Sequence, residues 1–208
     1  MLAANNGFGI EFDVRPSRDG VPLIFHDRNL KRLTKLAGDF ENYDAAELVG
    51  LPLVGGGEII SLQTLLENWP TRVPLLCELK IDGDTDPIEF TRNVAKQMSA
   101  YNKPAAMMSF SPEAVEAIPA DIQRGQLIDA SANIGRAALE AALSKFNQER
   151  CDYIACHVSD AERAVTPMPV CIWTVKDAAT YTHLSGHVDA QIFEGFDPRL
   201  ASSEQRNT

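Results

Sequence analysis

The stretch GIEFDVRPSRDGVPLIFHD, residues 9–27, sets the pattern from which the fold is predicted. Its first six residues have the composition of a strand, and the Asp-Gly pair at 19–20, between apolar residues, is a strong hairpin signal. The second arm therefore returns His26 toward the first strand. Because side chains two residues apart in a strand face the same side, Glu11 and Asp13 project two carboxylates together.

Six further apolar runs follow, with helical patterns between most of them. They are VPLLCELK at 73–80, AAMMSF at 105–110, RGQLI at 124–128, DYIACH at 152–157, VCIWTV at 170–175 and AQIFEG at 190–195. With residues 9–14 they make seven predicted strands. This alternation indicates an α/β fold of βα units on a largely parallel sheet. Helix starts are predicted at Ser61, Asp86, Ser111, Asn133 and Asp177, which are all N-cap residue types.

Composition narrows the classes of protein that fit. The 208 residues carry a net charge of -10, which opposes binding to nucleic acid, and no apolar run is long enough to span a membrane. Residues 1–200 are predicted as one domain and residues 201–208 as a polar tail. The four cysteines lack a CxxC pair and lie in or beside apolar runs, which favours core packing over a catalytic or metal-ligand role. A reducing, cytoplasmic location is expected.

The segment GLPLVGGGE, residues 50–58, is predicted to be a loop over the strand ends. Its glycine run lacks the Lys and Ser or Thr that would follow in a nucleotide-binding P-loop, so a solvated turn is the favoured interpretation.

A third carboxylate, Glu78, lies near the end of a strong strand, and Lys80 faces the same side two residues later. Three carboxylates in one cavity favour a hard divalent cation, Mg²⁺ or Ca²⁺, over zinc. The lysine would then hold an anionic group, and His26 would transfer a proton near neutral pH. Taken one at a time, these residues are better explained as strand residues that emerge into water, with His26 as a surface histidine beside Asp27.

The ordered combination of these motifs resembles the glycerophosphodiester phosphodiesterase family. The resemblance lies in GIEFDVRPSRDGVPLIFHD, LLCELK, MMSFSPEAV, VCIWTVKD and VDAQIF, and extends over most of the chain. It implies a TIM (βα)8-type barrel with one divalent ion bound through Glu11, Asp13 and Glu78. It also implies that His26 is the catalytic acid/base, that Lys80 binds phosphate, and that glycerophosphodiesters are hydrolysed to an alcohol and sn-glycerol 3-phosphate. Trp173 matches an aromatic near the cleft, although a core tryptophan is nearly as well supported.

The family begins with a strand that ends in His-Arg-Gly, and nothing here corresponds to it. The prediction is therefore a barrel whose first βα unit is absent from this chain, which leaves open strand edges and the question of homo-oligomers. Loss of that histidine is expected to cost roughly 10²- to 10⁴-fold in rate. The alternative is an inactive remnant that binds metal and phosphate. Related phospholipase D-like toxins share this metal site, but the acidic composition and the lack of a disulfide pattern count against them.

Overall fold

The computed structural model describes residues 2–69, 73–101, 103–147 and 149–199. The chain divides into two compact units, Met1–Arg124 and Gly125–Thr208. The predicted tail, 201–208, lies outside the described residues. The assignment of residues 1–200 to one domain stays a prediction.

The first unit contains four strands: β1 (Ile10–Pro16), β2 (Pro22–Ile24), β3 (Leu75–Leu79) and β4 (Ala105–Ser109). The strand order is β2-β1-β3-β4, with β1, β3 and β4 parallel and β2 antiparallel to β1. The predicted hairpin is thereby confirmed. The helices are α1 (Leu2–Asn5), α2 (Ala45–Leu48), α3 (Leu62–Asn68), α4 (Pro87–Ala100) and α5 (Pro112–Ala117), with 3₁₀ turns at Leu30–Arg32 and Phe40–Asn42.

The second unit continues the βα rhythm. Its strands are β5 (Gln123–Ile128), which begins two residues before the unit boundary, β6 (Tyr153–His157), β7 (Val170–Val175) and β8 (Ala190–Phe193). They lie in the order β5-β6-β7-β8 and all run parallel. The helices are α6 (Ser131–Ile134), α7 (Arg136–Lys145) and α8 (Ala178–Leu184), and a 3₁₀ segment spans Val158–Arg163. All seven strands predicted from the apolar runs are present.

Four of the five predicted helix starts are confirmed by their capping hydrogen bonds. The Ser61 hydroxyl accepts from the Thr64 amide at 3.0 Å, and the Ser111 hydroxyl caps α5 in the same way. Asp86 accepts from two amides at the start of α4, each at 2.9 Å, and Asp177 caps α8. These caps satisfy amides that have no partner within the helix.

The predicted helix start at Asn133 is wrong. Helix α6 begins at Ser131, and Asn133 lies inside it, where its side chain donates to Asp129 at 2.9 Å. Gly135 has φ +86°, and this left-handed backbone separates α6 from α7, which begins at Arg136. The apolar periodicity therefore continues across a break that glycine permits.

Two clusters of buried apolar side chains hold the first unit together. One packs the outward residues of the strands, such as Val14 and Cys77, against α4. The other contains Leu23, Phe25, Leu30, Phe40, Leu48 and Ile59. In this second cluster the Phe25 and Phe40 rings stack at 5.0 Å. Because Phe25 is fixed in this way, the backbone that carries His26 has a defined position at the end of β2.

The four cysteines are all buried and none forms a disulfide, which agrees with the predicted core packing. Among the described residues, no helix combines the length and the hydrophobicity needed to cross a bilayer.

Candidate active site

Three carboxylates converge on the inner face of β1 and β3. Glu11 and Asp13 alternate with the buried Phe12 and Val14, so both point away from the apolar cluster. Asp13 is paired in register with Glu78 on the neighbouring parallel strand. One carboxylate oxygen from each of Glu11, Asp13 and Glu78 lies within 4.8 Å of the other two. The strand period and the strand register therefore bring together the three residues named from the sequence.

Lys80 supplies the positive charge that this cluster needs. Its Nζ lies 3.0 Å from Asp13 Oδ1 and also donates to Glu78. Burial raises the pKa of the Glu78 carboxyl above its usual value. Burial alone would lower the pKa of Lys80, but the carboxylates of Glu78 and Asp13 raise it overall, so the ammonium stays charged.

His26 follows β2 and makes a side-chain contact with Asp27. His26 Nδ1 lies 2.7 Å from Asp27 Oδ1, and Arg32 donates two hydrogen bonds to the same carboxylate, each at 2.6 Å. The hydrogen bonds from Arg32, and next the one from His26, lower the pKa of Asp27 to about 2. An ionised carboxylate only accepts hydrogen bonds, so His26 Nδ1 carries the proton in this contact. Nε2 is left as the nitrogen that can exchange a proton with a ligand.

Glu78, Lys80 and His26 line a cavity of about 940 Å³ in the first unit. The lining residues come from β1, the segment after β2, the end of β3 and the end of β4. They are Arg15, residues 26–29, Lys31, Arg32, residues 78–82 and residues 109–111. The volume lies within the range of small-molecule sites. No residue of the loop 50–58 is in this lining, so the prediction that the loop covers the strand ends gains no support from it.

Arg15 is a site residue that the sequence motifs do not single out. It lies on β1 and is only 6% exposed. Its Nε donates to the His26 carbonyl at 3.0 Å, and its Nη1 contacts the Asp82 carboxylate at 2.5 Å. The alternation that aligns Glu11 with Asp13 also places Arg15 on the same face, and this was the available signal.

Trp173 lies on β7 of the second unit. Its Nε1 donates to the Ala155 carbonyl at 3.2 Å, and its ring meets His157 edge-on at 5.0 Å between centroids. Its contact with substrate stays a prediction.

The three carboxylates fit a hard divalent cation. Their ligand atoms are all oxygens, which suits Mg²⁺ or Ca²⁺, and they lack the imidazole or thiolate ligands that zinc sites usually include. Three negative charges this close need a countercharge, and the Lys80 ammonium lies within ion-pair distance of Asp13 and Glu78. Glu11, Asp13 and Glu78 therefore form a possible metal-binding cluster, while the binding of an ion and its identity belong to the proposal below.

This chain is similar in sequence and in fold to known phosphodiesterases. The chain is 34% identical over 105 residues to "Probable glycerophosphodiester phosphodiesterase 2" of Mycobacterium tuberculosis, a match that covers 49% of this chain and 37% of that protein. An Oleispira antarctica phosphodiesterase, solved in complex with the product sn-glycerol-3-phosphate, superposes with a TM-score of 0.76 at 23% identity, over 99% of this chain and 88% of that one. A Thermotoga maritima glycerophosphodiester phosphodiesterase superposes with a TM-score of 0.69 at 24% identity, over 88% of this chain and 80% of that one.

The two structural similarities establish a shared fold and confirm the predicted α/β class, of TIM-barrel type. The sequence model of the glycerophosphoryl diester phosphodiesterase family matches residues 1–193. That match includes β1 to β8 and every candidate site residue. The chain therefore belongs to the glycerophosphoryl diester phosphodiesterase family.

Proposed function

We propose that this protein hydrolyses glycerophosphodiesters to an alcohol and sn-glycerol 3-phosphate, and that it needs one divalent cation to do so. The cluster of Glu11, Asp13 and Glu78, two of which pair with Lys80, carries the proposal. Glu78 and Lys80 also line a cavity together with His26. Family membership supports the reaction type. The Oleispira antarctica phosphodiesterase with bound sn-glycerol-3-phosphate supports a small phosphorylated ligand.

Glu11, Asp13 and Glu78 would hold Mg²⁺ or Ca²⁺ through carboxylate oxygens. When bound, such a cation draws negative charge from phosphoryl oxygens and so favours attack at phosphorus. Glu78 is the most buried of the three carboxylates and has the raised pKa, so cation binding would stabilise its charged form.

Lys80 would bind a phosphoryl oxygen of the substrate. Its ammonium now neutralises Asp13 and Glu78, and a cation on those carboxylates would release it for the ligand. The same charge would then act on the anionic oxygens as negative charge develops during hydrolysis.

His26 would act as the acid/base. Because Asp27 holds the Nδ1 proton, Nε2 is the atom that takes a proton from the nucleophile or gives one to the leaving alcohol. Within residues 1–124 the sequence contains no second histidine, so this unit offers one imidazole for proton transfer.

The test is release of sn-glycerol 3-phosphate from glycerophosphocholine in Mg²⁺, in Ca²⁺ and in EDTA. Activity is expected only with a divalent ion and is expected to be lost in Glu78→Gln. Glu140→Gln, at an exposed carboxylate paired with Arg136, is the matched control and should keep full activity. Turnover in EDTA would refute the metal requirement. Binding of sn-glycerol 3-phosphate by calorimetry without any turnover would instead support a metal- and phosphate-binding remnant.

Two further proposals concern the head group of the substrate and the compartment in which the protein acts. We propose that Trp173 contributes to head-group binding, because an aromatic face can contact an alcohol or a quaternary ammonium. Trp173→Ala should then change the order of preference among glycerophosphodiester substrates.

The four free, buried cysteines support a reducing compartment, as in the cytoplasm. The oligomeric state can be measured by light scattering.

A further inference from the structure

Within the part of the chain that the structure describes, Arg15 has a hydrogen-bond donor without a protein acceptor. An arginine guanidinium is a cation with five N–H groups in a fixed fork. Nε is bonded to the His26 carbonyl and Nη1 to Asp82. Among the described residues Nη2 has no hydrogen-bond partner, although Arg15 lines the cavity and is only 6% exposed.

The position of this donor relates it to the proposed cation site. Arg15 follows Asp13 by two residues on the same face of β1, so its Cα lies roughly 7 Å further along the strand. Arg15 and Lys80 line the same cavity, so a phosphoryl group held there by Lys80 would lie in a cavity whose wall includes Arg15. A buried charged donor gains most when it meets an anionic oxygen, because little water screens the pair.

The two contacts that Arg15 already makes fix its orientation. The His26 carbonyl follows β2, and Asp82 follows β3, so the guanidinium is held from two sides. Its third nitrogen is thereby held in place before any ligand arrives, and less rotamer entropy is lost on binding.

We propose that Arg15 is a substrate-binding residue that donates from Nη2 to an anionic oxygen of the phosphoryl group. In naming a phosphorylated ligand, this inference rests on the proposed function. It differs from a structural role, in which Arg15 would only connect His26 to Asp82.

The test is calorimetric binding of sn-glycerol 3-phosphate, in Mg²⁺, to wild type, Arg15→Gln, Arg15→Lys and Asp82→Asn. Loss of one charge-assisted hydrogen bond predicts that Arg15→Gln binds roughly 10- to 100-fold more weakly. Arg15→Lys keeps the charge and should fall in between. Asp82→Asn removes the charge of the ion pair but keeps an oxygen that can accept from Arg15 and leaves the donor in place, so its affinity should fall less than that of Arg15→Gln.

Wild-type affinity in Arg15→Gln would overturn the inference, as would an equal loss in Asp82→Asn, which would mark a structural ion pair. Absence of binding to the wild type would overturn it too. If Arg15→Gln does not fold, as judged by thermal melting, Arg15→Lys and Asp82→Asn give the same discrimination. Arg15-dependent binding without hydrolysis would refute the proposed function and leave this inference standing. With hydrolysis, Arg15→Gln should raise KM more than it lowers kcat.

Discussion

Replacing Lys80 by Met tests whether the three carboxylates form a cation site. The Lys80 side chain is 14% exposed, and those of Asp13 and Glu78 are 17% and 9% exposed, so water screens these charges poorly. At 3.0 Å, and with an effective dielectric constant of about 20, the Lys80–Asp13 attraction alone amounts to about 5 kcal/mol. Protonation of Glu78, whose pKa burial already raises, relieves part of the loss. A net destabilisation of about 3 kcal/mol is expected, as for other broken buried pairs.

For a chain of this length, 1 kcal/mol changes Tm by roughly 2–4 °C, so Lys80→Met should melt about 6–12 °C below wild type in EDTA. Mg²⁺ should reverse most of this decrease, because a divalent ion on the carboxylates replaces the missing ammonium. Thermal melting followed by circular dichroism, with and without Mg²⁺, measures both effects.

Lys176→Met is the matched control, since Lys176 pairs at the surface with Glu194 and both side chains are more than 60% exposed. Its Tm should not change in either buffer. An equal decrease of Tm for Lys80→Met in EDTA and in Mg²⁺ would refute the reasoning, because the carboxylates would then not be binding the ion.

Three further outcomes follow from other contacts. The pKa of Asp27 in the folded protein is lowered to about 2, so its charged form stabilises the fold above its unfolded pKa, and this stability is lost as the pH falls through about 2. In urea unfolding, Arg32→Gln should therefore be less stable than wild type at pH 7, and the difference should vanish near pH 2. In the same assay, Asp160→Ala should lower the free energy of unfolding by about 2–3 kcal/mol, because the buried carboxylate accepts from a backbone amide at 2.7 Å and from a hydroxyl at 2.5 Å. Asp160→Asn should lower it less. Gly125→Ala would bring its Cβ to 2.2 Å from the Tyr153 ring and should cost about 1–3 kcal/mol, much of it recovered when Tyr153→Leu is added.

Each of these has a clear contrary result. A constant difference between Arg32→Gln and wild type from pH 7 to pH 2 would show that Asp27 titrates normally. If Asp160→Ala and Asp160→Asn lower the free energy of unfolding equally, the hydrogen bonds that the Asp160 oxygens accept are not the source of the stability. A Gly125→Ala protein as stable as wild type would show that the Tyr153 ring moves aside freely.

The features that the sequence predicts correctly are those that depend on neighbours within a few residues. The apolar runs locate all seven parallel strands, and the caps at Ser61, Asp86, Ser111 and Asp177 bond amides two or three residues away. A strand has a period of two residues, so the shared face of Glu11 and Asp13 is already determined locally. The predicted helix start at Asn133 is wrong because the apolar period continues past Gly135, whereas the break between the two helices depends on the backbone angle of that glycine.

The contacts that complete the site join residues far apart in the chain, and only the tertiary structure decides them. Glu78 comes within reach of Glu11 because β1 and β3 pair in parallel with Asp13 opposite Glu78, and Lys80 enters between the carboxylates through that register. The contact of Arg15 with Asp82 spans 67 residues, and motif spacing carries no information about it. The sequence by itself therefore determined the strands, the caps and the chemical types at the site. The pairing of β1 with β3 decided which charges lie close enough to neutralise one another.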